Sequence, residues 1–365
     1  MLSLSAQLQA IAARPADRPM TMPGAFYTSQ EQFRHEAATV LRSSWHCLGR
    51  TDEIPETGDF FTVQLLNEPL IIVRQTNAQV AVLANVCRHR GMPLADGKGN
   101  TKRFVCSYHA WAYDLDGGLM RAARMKNADF DVKNCGLHRH NIHLWNGFIY
   151  VNLDGSSPPF VHPPLDALLA NYDSTRFRLA HVAEEIWDTN WKCLVENFME
   201  GYHLSVVHPK TLHDYTPTGL ARKLASGNGF TSYAANYPKS IPSRGLGAPN
   251  LTDDERLRST LFAVFPTQVA SQAASLLVSL SIFPLNAGQI RVKWTLSTYG
   301  DDLEDDTIAA RIALWEKVNQ EDREKLERMQ IALGSDHALS GPLAEDDYEG
   351  TIRDFQLWLA AQDRI

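Results

Sequence analysis

The sequence has few cysteines, and their number is odd. A framework of disulfide bonds in a small secreted protein needs cysteines in pairs and at a much higher density. We therefore expect no disulfide scaffold here. The five cysteines of the 365-residue chain are Cys47, Cys87, Cys106, Cys135 and Cys193.

Long apolar runs and basic blocks are also missing. No stretch approaches the ~20 apolar residues of a membrane-spanning helix, and residues 1–19 lack the sustained apolar core of a signal peptide. The net charge of −7, without any block of Lys and Arg, argues against nucleic-acid binding. With 44% hydrophobic and 21% charged residues, the sequence is typical of a globular protein with room for two domains. We expect a cytoplasmic location.

Changes of pattern near residues 44 and 154 divide the chain into three predicted parts. These are an N-terminal segment (1–44), a β-rich domain (45–154) with alternating apolar runs, and a second domain (155–365) after a turn-rich linker. In the second domain the patterns predict a helix near 190–203, a polar loop-rich stretch at 209–257, paired strands at 275–285 and 289–299, and a long helix at 305–333. The predicted buried side of this long helix carries Ile308, Ile312, Trp315 and Val318.

The most informative motif has one Cys-His pair on each of two predicted loops. Cys87-Arg88-His89 is followed, after 16 intervening residues, by Cys106-Ser107-Tyr108-His109. Two thiolates and two imidazoles suit a [2Fe–2S] cluster in which one iron takes sulfur and the other takes nitrogen. Zn²⁺ can also bind two Cys and two His, but zinc sites usually pair their cysteines across one short spacer and their histidines across another. We favour the cluster.

A second motif places an acid before two histidines. Glu200 and His203 share a face if the helix continues through them, whereas His208 points elsewhere in an unbroken helix. The helix must therefore loosen or end before His208, and Pro209 marks such an end. Two histidines and a carboxylate form the facial triad that leaves positions open on Fe(II). On its own, a helix histidine is more often a hydrogen-bonded core or surface residue.

The first motif and its flanks, Arg90 to Leu94 and Ala110 to Gly117, resemble those of Rieske iron–sulfur proteins. Respiratory Rieske proteins carry an additional cysteine on each loop, and the two form a disulfide bond. Here Met92 and Tyr108 stand at those positions, so the respiratory class is disfavoured. Both motifs together resemble the α subunits of Rieske non-heme iron oxygenases, in the same order and over nearly the whole chain.

The resemblance implies the roles of particular side chains. It implies a [2Fe–2S] cluster on Cys87, His89, Cys106 and His109. It also implies a mononuclear Fe(II) on His203, His208 and Asp322, because the family's closing Asp is followed eight residues later by Gln, as in the segment from Asn319 to Gln330. The neighbouring acids Glu321, Glu324 and Glu327 are the alternatives for the third ligand, with a charged solvent-facing surface as their ordinary role.

Two further roles follow from the resemblance. Glu200 corresponds to the acid that links an iron-ligating His of its own subunit to a cluster-ligating His of the neighbouring one. Most members carry Asp there, and Glu resembles the carnitine-oxygenase branch. Asn197 corresponds to a residue that supports the iron ligands from outside the coordination sphere.

The resemblance also implies the fold and the partners. The expected fold is α+β: a β-rich Rieske domain and a helix-grip (SRPBCC/START-like) catalytic domain with an antiparallel sheet, on which the N-terminal segment packs. A head-to-tail homotrimer is implied. Gly245-Leu246-Gly247 lacks the third glycine of a dinucleotide-binding loop. We therefore expect a separate NAD(P)H-dependent flavin or iron–sulfur reductase to supply the electrons for O₂ chemistry.

The substrate is the least determined prediction. Aromatic side chains suit a quaternary ammonium ion, although these residues also fit simple packing of a lid. We expect hydroxylation or N-demethylation of a betaine-like compound; the alternatives are ring or side-chain oxygenation or O-demethylation of an aromatic acid, and an electron carrier without oxygenase chemistry. The candidate pocket residues of the stretch at 210–250 are His213, Tyr215, Phe230, Tyr233 and Tyr237.

Overall fold

Two units make up the chain, and one is inserted in the other. The computed structural model describes residues 3–155 and 159–363. The inserted unit is Cys47–Ser157, and the larger unit combines Met1–His46 with Pro158–Ile365. Both ends of the chain therefore contribute to the larger unit.

The inserted unit is built mainly of short strands, as the alternating apolar residues predict. The strand orders within its sheets are β4-β3-β2-β5, β6-β7-β8 and β1-β10-β9. Short 3₁₀ turns cover Thr51–Glu53 and Val132–Asn134. The strands are β1 (Trp45–Arg50), β2 (Asp59–Leu65), β3 (Glu68–Arg74), β4 (Val80–Ala84), β5 (Lys98–Asn100), β6 (Phe104–Val105), β7 (Ala112–Tyr113), β8 (Leu119–Arg121), β9 (Asn141–Trp145) and β10 (Phe148–Asn152).

Both motif cysteines belong to the core of the inserted unit. Cys87 and Cys106 are each 2% exposed and pack with Trp111, Tyr113 and the apolar residues of β3 and β4. The base of each motif loop is thus fixed by apolar burial, which limits how far the loops can move apart.

The larger unit contains one antiparallel sheet of seven strands in the order β11-β17-β16-β15-β14-β13-β12. The predicted hairpin is confirmed as the pair β16 and β17, joined at Asn286 and Gln289. The strands are β11 (Phe177–Trp187), β12 (Ala221–Lys223), β13 (Phe230–Asn236), β14 (Arg258–Val264), β15 (Gln268–Gln272), β16 (Leu276–Asn286) and β17 (Gln289–Tyr299).

Helices from both ends of the chain pack in this unit. Short 3₁₀ turns cover Ala170–Tyr172, Ser174–Arg176 and Thr218–Leu220. None of the helices in the described part of the chain has the length and apolar character needed to cross a bilayer. The helices are α1 (Leu4–Ala12), α2 (Ala25–Thr28), α3 (Gln30–Ala38), α4 (Val40–Ser43), α5 (Pro163–Leu169), α6 (Trp191–Phe198), α7 (Leu204–Val207), α8 (Asp253–Arg256), α9 (Asp305–Leu333) and α10 (Asp346–Gln362).

The position of α6 relative to α9 determines the site described below. Helix α6 contacts α9, α10 and the strands β15 and β16. Its first turn is tied to α9 by the Oε1 atom of Gln330, which accepts the N–H of Asn190 at 2.9 Å. The long helix is confirmed at its predicted bounds, but its buried side is displaced: Trp315 and Val318 are buried, whereas Ile308 and Ile312 are only half-buried.

One prediction about this unit is wrong, and another lacks detail. The predicted helix at 190–203 ends at Phe198, because the Glu200 carboxylate accepts the N–H groups of Tyr202 and His203 and so replaces the helical acceptors. The stretch at 209–257 is loop-rich, as predicted, although β12 and β13 lie within it. Their pairing with each other and with β14 is a tertiary effect that the short, partly polar segments do not show locally.

A buried ion pair connects the N-terminal part of the chain to α6. The Nζ atom of Lys192 lies 2.9 and 2.7 Å from the two carboxylate oxygens of Glu36, which belongs to α3. The two side chains are 0% and 4% exposed. The Nε1 atom of Trp191 donates to the same carboxylate at 3.1 Å. Neither charge has solvent to stabilise it if the other is removed.

Replacing Glu36 with Gln should therefore destabilise the larger unit. We expect the free energy of unfolding to fall by about 3–5 kcal/mol, because the Lys192 ammonium stays buried without its counter-charge. Urea denaturation followed by tryptophan fluorescence measures the change. The control is Glu31→Gln, an exposed position on the same helix, which should stay within about 1 kcal/mol of wild type. Equal stability of both variants would contradict the prediction.

Candidate metal centres and active site

The two loops with the Cys-His pairs have the same backbone hydrogen bonding. The carbonyl of Cys87 accepts the N–H of Gly91, and the carbonyl of Cys106 accepts the N–H of Ala110, both at 2.9 Å. Gly91 and Ala110 both have positive φ, +76° and +56°. In each loop, this residue with a left-handed backbone conformation reverses the direction of the loop four positions after the cysteine. The two loops therefore present their ligands in matching ways.

The four predicted cluster ligands lie on these loops. The rings of His89 and His109 are 4.6 Å apart between centroids, at an interplanar angle of 73°. The Nδ1 atom of His89 is buried and has no hydrogen-bond partner in the described part of the chain. An unsatisfied nitrogen next to a second imidazole and two buried thiols fits an iron–sulfur group. His109, by contrast, is exposed to solvent.

Tyr113 is a residue of this site that the sequence did not reveal. Its hydroxyl accepts the N–H of Arg88 at 3.0 Å and lies 3.3 Å from the Sγ atom of Cys87. Burial, together with this contact to Cys87, raises the pKa of Tyr113. The hydroxyl thus keeps its proton and can donate it to a thiolate. The indole of Trp111 stacks on His89 at 5.0 Å.

The second site begins where α6 ends. Residues 199–203 bend away from the helix axis before α7 begins at Leu204. Within this bend, the Glu200 carboxylate contacts the Nδ1 atom of His203. The predicted proximity of Glu200 and His203 is present, but a bend produces it rather than a shared helix face. Tyr233 Oη donates to the Glu200 carbonyl at 3.3 Å and so supports the bend from the sheet.

His208 is positioned from the opposite side, by α9. Its Nδ1 atom lies 2.9 Å from Oε2 of Glu321, and the Thr211 hydroxyl donates to the same oxygen at 2.6 Å. The sequence left Glu321 as an alternative third ligand or as a solvent-facing charge; its side chain is only 19% exposed and contacts His208. The only sequence signal was its place directly before Asp322.

Both imidazoles converge on Asp322. Its Oδ1 atom lies 3.1 Å from Nε2 of His208 and 3.7 Å from Nε2 of His203. The amide of Asn197 donates to the same oxygen at 3.3 Å. One ligand atom from each of His203, His208 and Asp322 lies within 4.8 Å of the others.

This geometry fits a metal ion. Each histidine has its Nδ1 atom against a glutamate and its Nε2 atom directed at Asp322. His208 is fully buried, and its Nε2 atom has no ordinary hydrogen-bond partner in the described structure. Carboxylates at Nδ1 fix the tautomer and orientation of metal-binding imidazoles. Burial lowers the pKa of His203, but the charge and hydrogen bond of Glu200 outweigh this effect and raise it overall.

The five predicted pocket residues do not lie together. Tyr233 is buried beside Glu200, on one face of β13. Phe230 is also buried but lies three positions away on the strand, so it points to the other face, where it contacts His162. Only Tyr233 of these two reaches the His-His-Asp site.

The other three candidates lie apart from Tyr233 and Phe230, and two of them contact Arg244. Tyr215 and Tyr237 flank the guanidinium of Arg244, whose Cζ atom lies 4.8 and 5.3 Å from their ring centroids. His213 is exposed, and its Nδ1 atom lies 2.9 Å from Oγ of Ser205.

A cavity of about 290 Å³ opens beside Glu200 and His203. It touches the Nδ1 side of the site, since neither His208 nor Asp322 lines it. Three glutamates contribute to it, and burial raises the pKa of Glu196 to about 7 and also that of Glu349. The lining residues are Thr21, Cys193, Glu196, Asn197, Glu200, His203, Val207, Lys325, Leu326, Met329, Leu343, Glu349 and Ile352.

A Cys-His iron–sulfur site and a His-His-Asp metal site in one chain define a redox metalloenzyme with two different centres. Residues 44–137 match the model of the Rieske [2Fe-2S] domain, and residues 171–363 match that of the ring hydroxylating alpha subunit (catalytic domain). The chain belongs to this family of ring-hydroxylating α subunits, the Rieske non-heme iron oxygenases. It is therefore an oxidoreductase with a [2Fe–2S] cluster and a mononuclear iron.

Similar proteins of known name come from several organisms. The glycine betaine monooxygenase oxygenase subunit of Pseudomonas aeruginosa is 27% identical, over 94% of this chain and 89% of that protein. The carnitine monooxygenase oxygenase subunit of Escherichia coli is 33% identical, over 52% of each chain.

Solved structures confirm the expected fold. The quaternary ammonium Rieske monooxygenase CntA in complex with L-carnitine aligns with a TM-score of 0.81 at 22% identity, over 98% of both chains. Naphthalene 1,2-dioxygenase from a Rhodococcus species aligns with a TM-score of 0.84 at 20% identity, over 100% of this chain and 98% of that one. At these identities, the likeness establishes the fold and not the substrate.

Asp322 and Glu321 are neighbours on α9, but their replacement should affect iron binding in different ways. We expect about three irons per chain in the loaded wild type and about two in Asp322→Ala, with the visible spectrum of the cluster unchanged. Glu321→Gln should retain the site but weaken its affinity for iron by about 10- to 100-fold, because His208 loses its orienting charge. Iron titration of the cluster-loaded, otherwise iron-free protein measures this affinity.

The matched control for both variants is Glu324→Gln, on an exposed turn of the same helix. This variant should bind iron like the wild type. If Asp322→Ala retained the third iron, the convergence of the three side chains would not represent the metal site.

Proposed function

We propose that this chain is the terminal oxygenase of a multicomponent system and that it hydroxylates or N-demethylates a quaternary ammonium compound of the betaine type. The observation that carries the proposal is the convergence of two carboxylate-oriented histidines on Asp322. Three protein ligands on one side of an ion leave its other positions open for O₂ chemistry. The names of the similar proteins support the substrate class.

In this proposal the ligands are divided between the two units. Cys87, His89, Cys106 and His109 hold the [2Fe–2S] cluster in the inserted unit. The mononuclear iron is held in the larger unit by His203, His208 and Asp322. When bound, the cluster supplies single electrons and the mononuclear iron supplies a site for O₂ activation.

The remaining residues of the site keep the ligands in place. Glu200 holds the proton of His203 at Nδ1, and Glu321 does the same for His208, so that both Nε2 atoms stay free for the metal. Asn197 donates to Oδ1 of Asp322 and fixes the direction of that carboxylate. Tyr233 and the apolar residues of the sheet limit the access of water.

Electrons reach the mononuclear iron from outside this site, and Glu200 is proposed to lie on their route. The Glu200 carboxylate contacts an iron-ligand imidazole, and the cavity beside it gives a group from another molecule access to this end of the site. His109 is the exposed cluster-ligand candidate. We propose that His109 of one subunit meets Glu200 of its neighbour.

Apolar side chains around both groups support such an assembly. Met92, Val105 and Tyr108 are 40%, 48% and 55% exposed near His109, and Tyr202 and Val206 are 57% and 81% exposed near Glu200. Exposed apolar patches on both contact surfaces favour association. A head-to-tail contact of this kind closes into a ring, and a trimer is the proposed form. Inter-subunit electron transfer is described for the structurally similar CntA.

The reductase and the location in the cell complete the proposal. A separate NAD(P)H-dependent reductase with flavin and iron–sulfur groups delivers the electrons. The similar proteins named as oxygenase subunits support a system of several components. A cytoplasmic location stays a prediction.

The substrate class can be tested by turnover with a compatible reductase. We expect quaternary ammonium compounds to stimulate NADH consumption and to acquire one oxygen atom from ¹⁸O₂, or to release formaldehyde if a methyl group is oxidised. Mass spectrometry of the products gives the oxygen count, and His203→Ala is the inactive control.

Aromatic acids form the second arm of the test. Stimulated turnover with these acids, and none with betaines, carnitine or choline, would overturn the substrate class while leaving the oxygenase chemistry intact. Reduction of the cluster without oxidation of any compound would instead favour a simple electron carrier.

A further inference from the structure

The two imidazoles assigned to the cluster have different surroundings. His109 is exposed, and under the proposed function it meets a neighbouring subunit. His89 is half-buried, and its ring stacks on the indole of Trp111, with 5.0 Å between the centroids and an interplanar angle of 8°. Both histidines belong to the same, nitrogen-ligated iron of such a cluster. This iron therefore has two routes to the surface of the protein, one through each imidazole.

The route through His89 continues along aromatic side chains. Trp111 is buried, and its indole also packs edge-on against Phe130, with 5.6 Å between the centroids and an angle of 67°. Both distances are those of aromatic rings in contact. Phe130 is half-buried and lies in the loop after β8. Because electrons tunnel more readily through packed atoms than through the same length of water, this row of rings can carry an electron between the surface and His89.

Exposed apolar side chains accompany the outer end of this row. Met120, on β8, is 56% exposed, and Val132 is 43% exposed. Strand β8 contacts the 3₁₀ turn Val132–Asn134, so the two side chains belong to one region of the inserted unit. Phe130 lies two positions before this turn. We call the region formed by residues 120–133 the β8 surface; its apolar residues are of the kind that the centre of a protein interface buries.

The β8 surface is basic, although the chain as a whole has a net charge of −7. Residues 120–133 contain four basic and two acidic side chains, a net charge of +2, and all four basic side chains are exposed. One of the acids, Asp131, accepts the N–H of Lys133 at 3.0 Å and so caps its own turn. Apolar residues among basic ones suit an acidic protein partner. The basic residues are Arg121, Arg124, Lys126 and Lys133.

We propose that the β8 surface docks the reductase and that the electron enters the cluster through Phe130, Trp111 and His89. One electron passes from the reduced flavin or iron–sulfur group of the reductase, which is oxidised, to the cluster, which is reduced, and no bond forms or breaks. The inference rests on the proposed function for the separate reductase and for the use of His109 toward the neighbouring subunit. In that assembly the neighbour covers His109, so the electron donor needs a second route.

Anaerobic stopped-flow reduction of the oxidised holoenzyme tests the aromatic route. The probe is an NADH-dependent flavin and iron–sulfur reductase that has been reduced beforehand, and bleaching of the cluster is followed by its visible absorbance. Phe130→Leu should lower the limiting rate at saturating reductase by about tenfold, because the leucine leaves the edge of Trp111 without its ring contact. Reduction by dithionite, which is small enough to react at the exposed His109, should be unchanged.

Phe60→Leu is the matched control for the aromatic route. Phe60 is also half-buried and packs edge-on against Phe104 in the same core, at 5.5 Å and 77°. Its replacement costs the core a similar ring contact, but neither ring belongs to the row that begins at His89. This variant should therefore be reduced by the reductase at the wild-type rate.

The basic residues are tested by the concentration of reductase needed for the half-maximal rate. Arg124→Gln and Lys126→Gln should each raise this concentration by about threefold at low ionic strength and leave the limiting rate unchanged, and the difference should shrink at high salt. Lys98→Gln removes the same charge from an exposed position on β5, in another sheet. This control should behave like the wild type.

Equal limiting rates in Phe130→Leu and Phe60→Leu would overturn the aromatic route, as would a defect of Phe130→Leu that dithionite shares. Loss of the wild-type assembly in Lys126→Gln, measured by sedimentation, would assign the β8 surface to a second copy of this chain and overturn the docking. The reaction contains no substrate and no O₂, so a wrong substrate class leaves these results unchanged. A reductase that fails to reduce even the wild-type cluster would refute the proposed electron supply and the docking with it.

Discussion

The convergence of the His203 and His208 imidazoles on the Asp322 carboxylate is the contact on which the arrangement of the larger unit depends. Each imidazole has a glutamate at Nδ1, Glu200 for His203 and Glu321 for His208, so both Nε2 atoms face Asp322. These two glutamates, two histidines and one aspartate are five ionisable groups with little access to solvent. Their burial is favourable only when negative charges are balanced by protons or cations, and a bound metal ion supplies the remaining positive charge. This requires α9 to lie against α6 and the chain to bend between α6 and α7.

The parts of this arrangement that depend on local spacing were predictable. The Cys-His loops, the β16–β17 hairpin and the bounds of α9 follow from motifs, turn residues and periodicity. Asp322 came from resemblance to a family, because helix periodicity does not separate it from the acids around it. Glu321 and the bend at Glu200 were missed for one reason: a carboxylate that orients an imidazole or replaces helical acceptors acts through tertiary contacts or side-chain competition that spacing alone does not reveal.

Buried charges in the larger unit are treated in two ways. Lys192 is enclosed with Glu36 and serves to join α3 to α6, with no group left over. Arg244 lies against Tyr215 and Tyr237, and its Nε and Nη2 atoms are buried without an acceptor among the described residues. The first arrangement is complete within the protein. The second leaves buried donors without an acceptor in the described part of the chain.

We propose that the Glu200 carboxylate orients an iron-ligand imidazole and lies on the route of the electron from the cluster of a neighbouring subunit. In a single-turnover experiment with the Glu200→Gln variant, reduced holoenzyme is mixed with O₂ and substrate, and oxidation of the cluster is followed by its visible absorbance. We expect a normal iron content and greatly slowed cluster oxidation, because the amide keeps the shape but not the charge. Glu349→Gln, in the same cavity, should react like the wild type. An unchanged rate in Glu200→Gln would remove Glu200 from the route of the electron.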